Sequence, residues 1–583
     1  MKTTFAYDHY YLYKELESCL KYFAEKYPEL AELNVNCVTA EGRNQYLITL
    51  TNQKTGPALS KPGWYLDGNI HAGEVTSSMA AMHTVDWLLT NYGSDRAATK
   101  LLDEYCLYVL PRVSPDGAET YLTTPLTLRS VNREYQPEPG GLYPEDLDGD
   151  SVIRMMRIPT PYGAWKKDPA DESLMVLRAP DEVDGSFYDI FPEGLLEAYD
   201  GSENLKLKKS AWGLDFNRNF PLGWFPDARQ PGAGPYPLSN PETKAVVDFV
   251  LAHPNIGGAA IGHTSGGLLL YPPGTRSAKS APEADIAAFK AIAEMGRQEL
   301  GYLPMNIFDT FMTDQENYDS GALDDWFYQS QGIPAYTVEF WDIAKAAGVP
   351  VDWNTKEEDP KKELERFAAC VKWVKENAPE YWLDWTPFEH PVFGQVEIGG
   401  FCTKFTHQNP PPAFLQKECE NDTRFNIRFA LACPKLVIEK AASEKLAEGV
   451  YKLSVTVGNR GYLPTNLTDE AVTLKKAAPV KVSLSAEGAD EEGAAKGVEA
   501  SDGSPAVKSG LSLLSGKEME EIPSLSGFSR TNTGIWYYGN ISTGAAAPAK
   551  KTLNWIVKGK PGDVITVTAS QEKAGEAKAQ IHL

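Results

Sequence analysis

The chain has 583 residues and a formal net charge of −23 at pH 7, from 79 acidic and 56 basic side chains. This length exceeds what one hydrophobic core normally organises, so we expect two or more domains. The negative charge argues against nucleic acid and anionic membranes as partners, because both attract a positive protein surface.

No export signal or membrane span is predicted. Charges interrupt residues 1–30 every few positions, which leaves no apolar core of a signal peptide, and no later run of about 20 apolar residues could cross a bilayer. The seven cysteines lack C-x-x-C spacing, which indicates neither a disulfide framework nor a cysteine zinc site. We therefore expect a cytoplasmic protein.

The first two thirds of the chain alternate between strand-like and helical patterns. The strand-like runs are "YLITLT", "GWYLDG", "LYVLPRV", "IGGAAIG" and "AYTVEF". Amphipathic segments such as 74–91 and 241–252 separate them. This alternation predicts an α/β domain over residues 1–385, with a mixed, mostly parallel sheet flanked by helices.

The remaining third differs in character. An aromatic, proline-rich stretch, "YWLDWTPFEHPVFGQ", marks the predicted domain boundary, and residues 386–432 are expected to form a linker and a helical segment. Short alternating runs such as "YKLSVTVGN" and "DVITVTAS" then predict a smaller all-β sandwich over residues 433–583. Within it, the Gly-, Ala- and acid-rich residues 484–517 form a predicted low-complexity loop.

Two histidines follow two of the apolar runs. His71 and Glu74 lie in "GNIHAGEVTS", and His263 lies in "AAIGHTSGGLLLYPPG". A lone H-x-x-E pair has roughly even odds of arising by chance in such a chain, and a single histidine at a strand end more often bonds a loop. Together, however, two histidines and a carboxylate at the edge of an α/β sheet leave a fourth zinc position open for water, as in catalytic zinc sites.

Further motifs follow in a characteristic order: "HAGE", "LPRVSPDGAE", "RMMR", "DFNRNF", "GHTSGGLLLYPPG", "SGALDDWFY" and "YTVEFWD". In this order they resemble the zinc metallocarboxypeptidases, the family of carboxypeptidases A and B, over about residues 5–385. The chain looks like a bacterial-type member with an appended C-terminal β-domain. The resemblance implies that His71, Glu74 and His263 bind one zinc ion.

The resemblance also implies roles for polar residues around the metal. Glu339 in "TVEFWD" is the expected general base and later general acid, and Arg157 in "RMMR" is expected to polarise the scissile carbonyl. Asn217 and Arg218 are expected to hold the terminal carboxylate of the substrate, and Asp215 to orient the first zinc histidine. Chemistry agrees: a carboxylate inside the apolar "AYTVEF" is costly to bury without a purpose, and a guanidinium offers paired donors to a carboxylate.

Two residues bear on substrate selection. Tyr318 resembles the mobile tyrosine that caps bound substrate in the family. Asp324, which precedes the "DW" pair, resembles the aspartate at the pocket floor of the B-type enzymes, which remove C-terminal Lys or Arg. A preference for basic residues follows from this resemblance; the alternative is that Asp324 caps a helix or pairs with a loop arginine.

A long insertion over about residues 132–214 is expected to cover one side of the site. Within its "DLDGDSVIRMMR", the residues Asp146, Asp148 and Asp150 have the alternating spacing of a calcium loop, but the twelfth position is Arg157 instead of glutamate. Two interpretations stay open. The loop binds Ca²⁺, or it is a solvated acidic turn that positions Arg157 and Arg154, the latter as a further substrate-binding residue.

These observations favour a zinc exopeptidase that acts on peptides with a free C-terminal carboxylate. One alternative is a zinc amidase that acts on cell-wall peptides or acylated amino acids. A second is an inactive scaffold whose β-domain binds partners, against which the intact ligand set and Glu339 argue.

Overall fold

The computed structural model describes residues 1–132, 141–197, 205, 207–208, 213–353, 359–486, 512–530 and 548–583. Residues 487–511, which make up most of the predicted low-complexity loop, lie outside this range. The helices are α1 (Tyr13–Lys26), α2 (Val75–Asn91), α3 (Arg96–Glu104), α4 (Pro115–Thr123), α5 (Pro241–Ala252), α6 (Glu283–Leu300), α7 (Leu323–Asp325), α8 (Ile343–Ala346), α9 (Pro360–Asn377), α10 (Pro412–Ala432) and α11 (Asp469–Thr473).

The strands of the described residues fall into five sheets. In the first half of the chain they are β1 (Ala31–Val38), β2 (Asn44–Leu50), β3 (Gly63–Gly68), β4 (Cys106–Leu110), β5 (Gly141–Pro144), β6 (Met155–Pro159), β7 (Trp165–Lys167), β8 (Met175–Leu177), β9 (Tyr188–Pro192), β10 (Gly194–Glu197), β11 (Ile256–Thr264) and β12 (Leu268–Tyr271). They continue with β13 (Leu303–Asn306), β14 (Ala335–Phe340), β15 (Trp382–His390), β16 (Gly394–Phe401), β17 (Leu436–Ala447), β18 (Val450–Asn459), β19 (Val480–Ala486), β20 (Ser512–Ser515), β21 (Met519–Ile522), β22 (Lys550–Lys558), β23 (Val564–Gln571) and β24 (Gly575–His582).

The largest sheet is mixed, with eight strands in the order β1-β2-β4-β3-β11-β14-β12-β13. The central strands β4, β3, β11 and β14 are mutually parallel. Antiparallel pairs flank them, β2 with β4 and β12 with β14. Helix α2 packs on β3 and β11. The predicted α/β class is confirmed, and its parallel strands end at one edge of the sheet, where sites are usually built.

Two glycines let the start of α2 approach this sheet closely. A Cβ atom at Gly68 would lie 2.6 Å from the Ser77 backbone, and one at Gly262 would lie 2.6 Å from the Ser77 Cβ atom. Both distances are shorter than van der Waals contact, so a side chain at either position would push α2 away. Because Glu74 directly precedes α2, this close packing brings Glu74 toward the end of β11.

The insertion folds together with residues that follow α9. Strands β6, β9, β7 and β8 extend the β15–β16 hairpin into a six-stranded sheet in the order β15-β16-β6-β9-β7-β8. A small apolar core on this sheet joins Met156 and Ile158 of β6 to Val396 and Ile398 of β16. The insertion is therefore held against the β15–β16 hairpin, which follows α9 in the chain.

The first core also extends past the predicted boundary at residue 385. Helix α10 packs against α2 and α6. The Phe429 ring meets Trp64 at 5.9 Å and Tyr336 at 5.1 Å between ring centroids. Burying these large rings contributes stabilisation that a linker would lack. We therefore propose that the first domain ends near Cys433 and includes the segment expected to be a linker.

The C-terminal residues form two antiparallel four-stranded sheets, β17-β18-β22-β20 and β21-β19-β23-β24. Their facing sides share one apolar core, with Val455 and Trp555 from the first sheet and Val482 and Val567 from the second. The all-β prediction for this region is confirmed. Among the described residues, no helix combines the length and hydropathy needed to cross a bilayer.

Candidate active site

Three side chains converge at the carboxyl ends of β3 and β11. Nδ1 of His71 lies 2.9 Å from Oε1 of Glu74, and Nδ1 of His263 lies 2.8 Å from Oε2 of Glu74. The two Nδ1 atoms are 3.1 Å apart. All three side chains are buried. The fold thus brings the three predicted metal ligands together, although the two histidines are 192 positions apart in the chain.

Local hydrogen bonds hold the turn between β3 and α2. Asn69, which has a φ of +60°, donates from Nδ2 to the carbonyl oxygens of His71 at 2.6 Å and Ala72 at 3.1 Å. The Ser77 hydroxyl donates to the Glu74 carbonyl at 2.6 Å and accepts from the Asn69 amide at 2.7 Å. These hydrogen bonds hold the backbone of His71 and Glu74 in place without any contribution from a metal ion.

The donor set fits zinc. Tetrahedral zinc with bonds of about 2.0–2.1 Å places neighbouring ligand atoms about 3.4 Å apart, and the donor distances of 2.8 to 3.1 Å are close to that value. Oδ1 of Asp215 lies 3.0 Å from Nε2 of His71, which favours the tautomer whose Nδ1 lone pair faces the cluster. The orienting role predicted for Asp215 requires a contact of this kind.

The electrostatics of the cluster keep its charges paired. Burial acts to raise the pKa of Glu74, but His71 and His263 outweigh it and hold the pKa below its usual range. Burial acts to lower the pKa of His263, but the carboxylates of Glu74 and Glu339 raise it to about 9. One carboxylate thus faces two imidazoles, a combination that a divalent cation would bind with displacement of the imidazole proton.

Glu339 lies beside the cluster on β14. Its backbone pairs with that of His263 in the parallel β11–β14 ladder. Its side chain lines a cavity of about 320 Å³ together with His71, Glu74 and His263. Burial, followed by the charge of Glu74, raises the pKa of Glu339 to about 7 although His263 opposes the shift. A carboxyl group with such a pKa can both accept and return a proton at neutral pH.

The arginine beside the cluster is Arg129, which the sequence analysis did not single out. Its Nη1 lies 3.3 Å from Oε1 of Glu74, and its Nε donates to Oδ2 of Asp215 at 3.0 Å. The backbone oxygen of Arg129 accepts from the Ala72 amide at 2.6 Å, which holds the residue next to the metal ligands. Its side chain is 45% exposed, so a ligand in the cavity can reach the guanidinium.

Arg157, predicted for that position, lies elsewhere. It is buried in the sheet of the insertion, where its Nε and Nη2 groups form a paired contact with Glu397 at 2.7 and 3.0 Å. Arg154 likewise donates to Asp150 at 2.8 Å and to the Gly400 carbonyl at 3.0 Å. The structure corrects the assignment of Arg157, because its strand β6 belongs to the sheet of the insertion and its guanidinium binds Glu397. Arg154 lines a large cavity of the insertion and does not line the cavity that holds the metal cluster.

A signal for Arg129 was present at the base of the insertion. The Ser130 amide donates to the Leu214 carbonyl at 3.1 Å, so the two ends of the long insertion meet. Residues just before the insertion therefore lie next to residues just after it, among them Asp215 and Asn217. An arginine three positions before the predicted start of the insertion at Asn132 was consequently a candidate for the site.

Asn217 and Arg218 line the same cavity as Glu339. The Asn217 side chain accepts from the Leu323 amide at 3.0 Å. Nη2 of Arg218 donates to Asp319 at 2.8 Å, and the Asp319 side chain is 60% exposed. An exposed ion pair of this kind contributes little net energy, so a substrate carboxylate can replace Asp319 at small cost.

The two predicted specificity residues differ in placement. Asp324 is buried in the wall of the cavity, where it accepts from the Thr337 hydroxyl and from the Asp325 amide, both at 2.8 Å. Burial and the charge of Asp324 raise the pKa of Asp325 to about 7. Tyr318 is half-buried and packs against Phe225 and Phe308, with ring centroids 5.8 and 6.2 Å away, instead of lining the cavity.

The acidic loop of the insertion is organised by backbone amides. Asp146 accepts from the amides of Gly149 at 2.8 Å and Ser151 at 2.9 Å, and Asp150 pairs with Arg154. The acidic atoms that come within 4.8 Å of one another belong to Asp146, Asp148 and Glu193, so Asp150 does not join them. Calcium binding by the three predicted aspartates is therefore not supported.

Comparison with known families gives the class of the protein. The zinc carboxypeptidase family, Peptidase_M14, matches residues 16–358, and a domain of unknown function, DUF8731, matches residues 435–582. The chain belongs to the zinc carboxypeptidase family. The fold is the carboxypeptidase-like α/β fold, followed by the all-β sheets of the second domain.

Curated relatives match at modest identity. Carboxypeptidase A4 of Mus musculus is 25% identical over 338 residues, 57% of this chain and 61% of the relative. Carboxypeptidase B of Rattus norvegicus is 32% identical over 112 residues, 19% of this chain and 26% of the relative. Carboxypeptidase D of Homo sapiens is 25% identical over 111 residues, 19% of this chain and 8% of the relative. The chain thus spans less than two thirds of the length of each of these relatives.

Solved structures align with part of the chain at low sequence identity. Thrombin activatable fibrinolysis inhibitor is 19% identical and aligns over 64% of this chain and 76% of that one, with a TM-score of 0.38. A metallo-carboxypeptidase from Burkholderia cenocepacia is 15% identical over 64% of this chain and 71% of that one, with a TM-score of 0.35.

Proposed function

We propose that this chain is a zinc-dependent carboxypeptidase that hydrolyses the last peptide bond of peptides with a free C-terminal carboxylate. The observation that carries the proposal is the convergence of two Nδ1 atoms and one carboxylate at 2.8 to 3.1 Å. This cluster shares a cavity with Glu339, Arg129 and Arg218. A metal site, a proton acceptor and two cationic groups are the parts that such a reaction needs.

His71, Glu74 and His263 would hold the zinc ion, which supplies Lewis-acid activation of water and of the scissile carbonyl when bound. Glu339, with its raised pKa, accepts the proton of the attacking water and returns it to the leaving amine. We assign to Arg129, instead of Arg157, the role of donating hydrogen bonds to the oxygen on which negative charge develops. A fixed guanidinium needs little reorganisation for this role, because Asp215 holds its Nε group.

Asn217 and Arg218 would bind the terminal carboxylate of the substrate. Arg218 is oriented by its bond to the Asn217 carbonyl oxygen at 3.0 Å, and its contact with exposed Asp319 is exchangeable. A guanidinium binds a carboxylate through paired donors, which places the last peptide bond within the same cavity as Glu339. This arrangement supports an exopeptidase over an endopeptidase. Tyr318 would need to move to cap the substrate, since its ring packs on Phe225.

The side chain removed would be lysine or arginine. Asp324 is only 5% exposed and lies in the cavity wall, and Asp325 lies beside it. A cation at this wall would pair with Asp324, whereas an apolar side chain would leave that carboxylate desolvated and without a counter-charge. The net charge of −23 would also attract basic peptides.

The seven cysteines, all unpaired in the described structure, support a reducing compartment such as the cytoplasm.

The experiment is a comparison of peptides that differ only in their C-terminus. Purified protein is incubated with a mixed set of pentapeptides, each prepared as the free acid and as the C-terminal amide, and the products are identified by mass spectrometry. Loss of one C-terminal residue from the free acids alone supports the proposal. Cleavage at internal bonds or equal turnover of the amides would contradict it, and hydrolysis confined to acylated amino acids or cell-wall peptides would point to an amidase.

A further inference from the structure

A large apolar cavity lies beside the proposed active site, on the side of the insertion. Its volume is about 640 Å³, which is within the range of sites that bind small molecules. We call it the insertion cavity and define it by six of its lining residues, Trp165, Met175, Leu364, Phe367, Trp385 and Phe401. They come from the insertion, from α9 and from the β15–β16 hairpin.

The insertion cavity connects to the metal ligands through Thr127. A smaller cavity of about 250 Å³ is lined by His71, Glu74, Arg129 and Thr127, and Thr127 also lines the insertion cavity. The cavity that contains Arg218 and Asp324 shares His71, Glu74 and Arg129 with this smaller one. The three cavities therefore follow one another, with the metal cluster between the terminal-residue cavity and the route to the insertion cavity.

This order sets the direction of a bound peptide. If the terminal carboxylate lies at Arg218, the chain upstream of the scissile bond leaves past the metal ligands toward Thr127. The next large concave surface on that route is the insertion cavity. Its walls are mainly aromatic and aliphatic, so contact with an apolar group stabilises more than contact with a charged one.

Aromatic rings in the wall are held in place by their neighbours. The Phe401 ring meets Trp382 at 4.9 Å and Phe367 at 5.6 Å between centroids, both edge to face. Trp385 donates from Nε1 to the Ser173 carbonyl at 2.9 Å, and the Arg157 guanidinium lies 4.5 Å from its ring centroid. A pre-ordered aromatic wall loses little side-chain entropy when a ligand ring packs against it.

We propose that the insertion cavity binds aromatic or other large apolar side chains of the peptide substrate, upstream of the scissile bond. The proposal rests on the proposed function for the direction of the bound chain. It also gives Arg157 a positioning role, since the bond of this buried arginine to Glu397 and its contact with Trp385 tie the hairpin to β6.

The test uses two pentapeptides with the same C-terminal arginine that carry either Phe or Ser at their first two positions. We expect the wild type to prefer the Phe peptide by at least tenfold in kcat/KM, mainly through KM, because burial of one large apolar side chain is worth that much. Leu364→Trp, which fills the cavity from α9, should reduce this preference to within about twofold, because the Phe peptide loses more of its kcat/KM than the Ser peptide does. Phe367→Ala, at a side chain 41% exposed, should weaken the same preference if Leu364→Trp fails to fold.

The matched control is Lys372→Trp, on the same helix, where the side chain is 76% exposed and outside the cavity lining. It should retain the wild-type preference. No preference in the wild type, or a full preference in Leu364→Trp, would overturn the proposal. A dipeptide that ends in arginine and carries an N-octanoyl group is measured in parallel, to distinguish an acyl group from a side chain as the occupant. If Leu364→Trp lowers kcat/KM for this acylated substrate but not for the Phe peptide, the proposed occupant is refuted.

A binding measurement separates this proposal from the proposed function. Fluorescence anisotropy of labelled Phe and Ser peptides on the wild type and Leu364→Trp reports affinity without turnover. If no peptide is cleaved but Leu364→Trp still weakens binding of the Phe peptide, the cavity assignment stands and the carboxypeptidase assignment fails. A dimer that dissociates in Leu364→Trp, seen by sedimentation, would instead show that a second copy covers the cavity and would overturn the proposal.

Discussion

The Nε group of Arg129 donates to Oδ2 of Asp215 across 3.0 Å. The other oxygen of Asp215 lies 3.0 Å from Nε2 of His71, so one carboxylate orients both a metal ligand and a cationic group of the cavity. Burial acts to raise the pKa of Asp215, but His71 and Arg129 outweigh it and hold the pKa well below its usual range. Asp215 therefore stays ionised and couples the metal site to the arginine.

Substitution of Arg129 and substitution of Arg157 should have different effects, the first on turnover and the second on stability. Arg129→Ala should lower kcat by about 10²- to 10³-fold, or about 2.7–4 kcal/mol, because a donor to the developing negative charge is lost. KM should change less. Arg157→Ala should mainly destabilise the fold, since it removes the paired contact with Glu397 and a ring contact with Trp385. Steady-state kinetics and thermal unfolding of both variants check this pair, and a loss of turnover specific to Arg157→Ala would restore the sequence-based assignment.

Substitution of a proposed metal ligand should lower the zinc content of the protein. His71→Ala and His263→Ala should each lose most of the bound zinc and nearly all activity, while circular dichroism stays close to that of the wild type. The fold should survive because a large α/β core does not depend on a catalytic metal. Zinc is measured per chain by atomic emission, with His9→Ala as the control, since His9 is half-exposed and pairs with Asp8 and Glu15. Full zinc occupancy in either ligand variant would refute the ligand set.

Glu339 predicts a pH dependence. Its raised pKa of about 7 means that the carboxylate needed to accept a proton is progressively lost below that pH. A bound cation would oppose this rise, because its positive charge lowers the pKa of a nearby carboxyl group. We therefore expect kcat/KM to rise with pH and level off at an apparent pKa of about 7 or lower. Glu339→Gln should keep zinc, lose about 10²- to 10⁴-fold in turnover and lose this limb of the profile; near-normal turnover would contradict the proposed proton acceptor.

Asp324 predicts specificity. Substitution by Ala should reduce kcat/KM for peptides ending in Arg or Lys by one to two orders of magnitude, because a charge-assisted bond of about 1.5–3 kcal/mol is lost, and should leave Leu-ended peptides nearly unchanged. Asp248→Asn serves as the control, because this side chain of α5 is 60% exposed. A wild-type preference for Leu or Phe, or an unchanged Arg preference in Asp324→Ala, would refute the proposed pocket.

The sequence was sufficient for features set by local pattern. His71 and His263 could be paired from sequence because each follows an apolar strand, and β3 and β11 are neighbours in the parallel part of the sheet. Their distance in sequence does not matter there, because parallel strands end at one edge. Glu339 was predicted from the family resemblance and as a carboxylate inside an apolar run, and its strand β14 adjoins β11 on the other side.

Contacts between residues far apart in the chain could not be predicted from such local patterns. Arg157 and Glu397 are 240 positions apart, and no local pattern shows that β6 of the insertion pairs with the hairpin after α9. The "RMMR" motif therefore suggested an active-site arginine although its strand belongs to another sheet. Arg129 is placed by the meeting of the two insertion ends, a three-dimensional contact between Ser130 and Leu214.

We propose that one zinc ion held by His71, Glu74 and His263 drives removal of a C-terminal residue. The most direct measurement is reconstitution of metal-stripped protein with increasing zinc, while release of arginine from one peptide is followed as its free acid and as its amide. Activity on the free acid should be absent without metal and reach its maximum at one equivalent of zinc, with the amide at least tenfold slower. Undiminished activity after metal removal, or equal rates for acid and amide, would contradict the account.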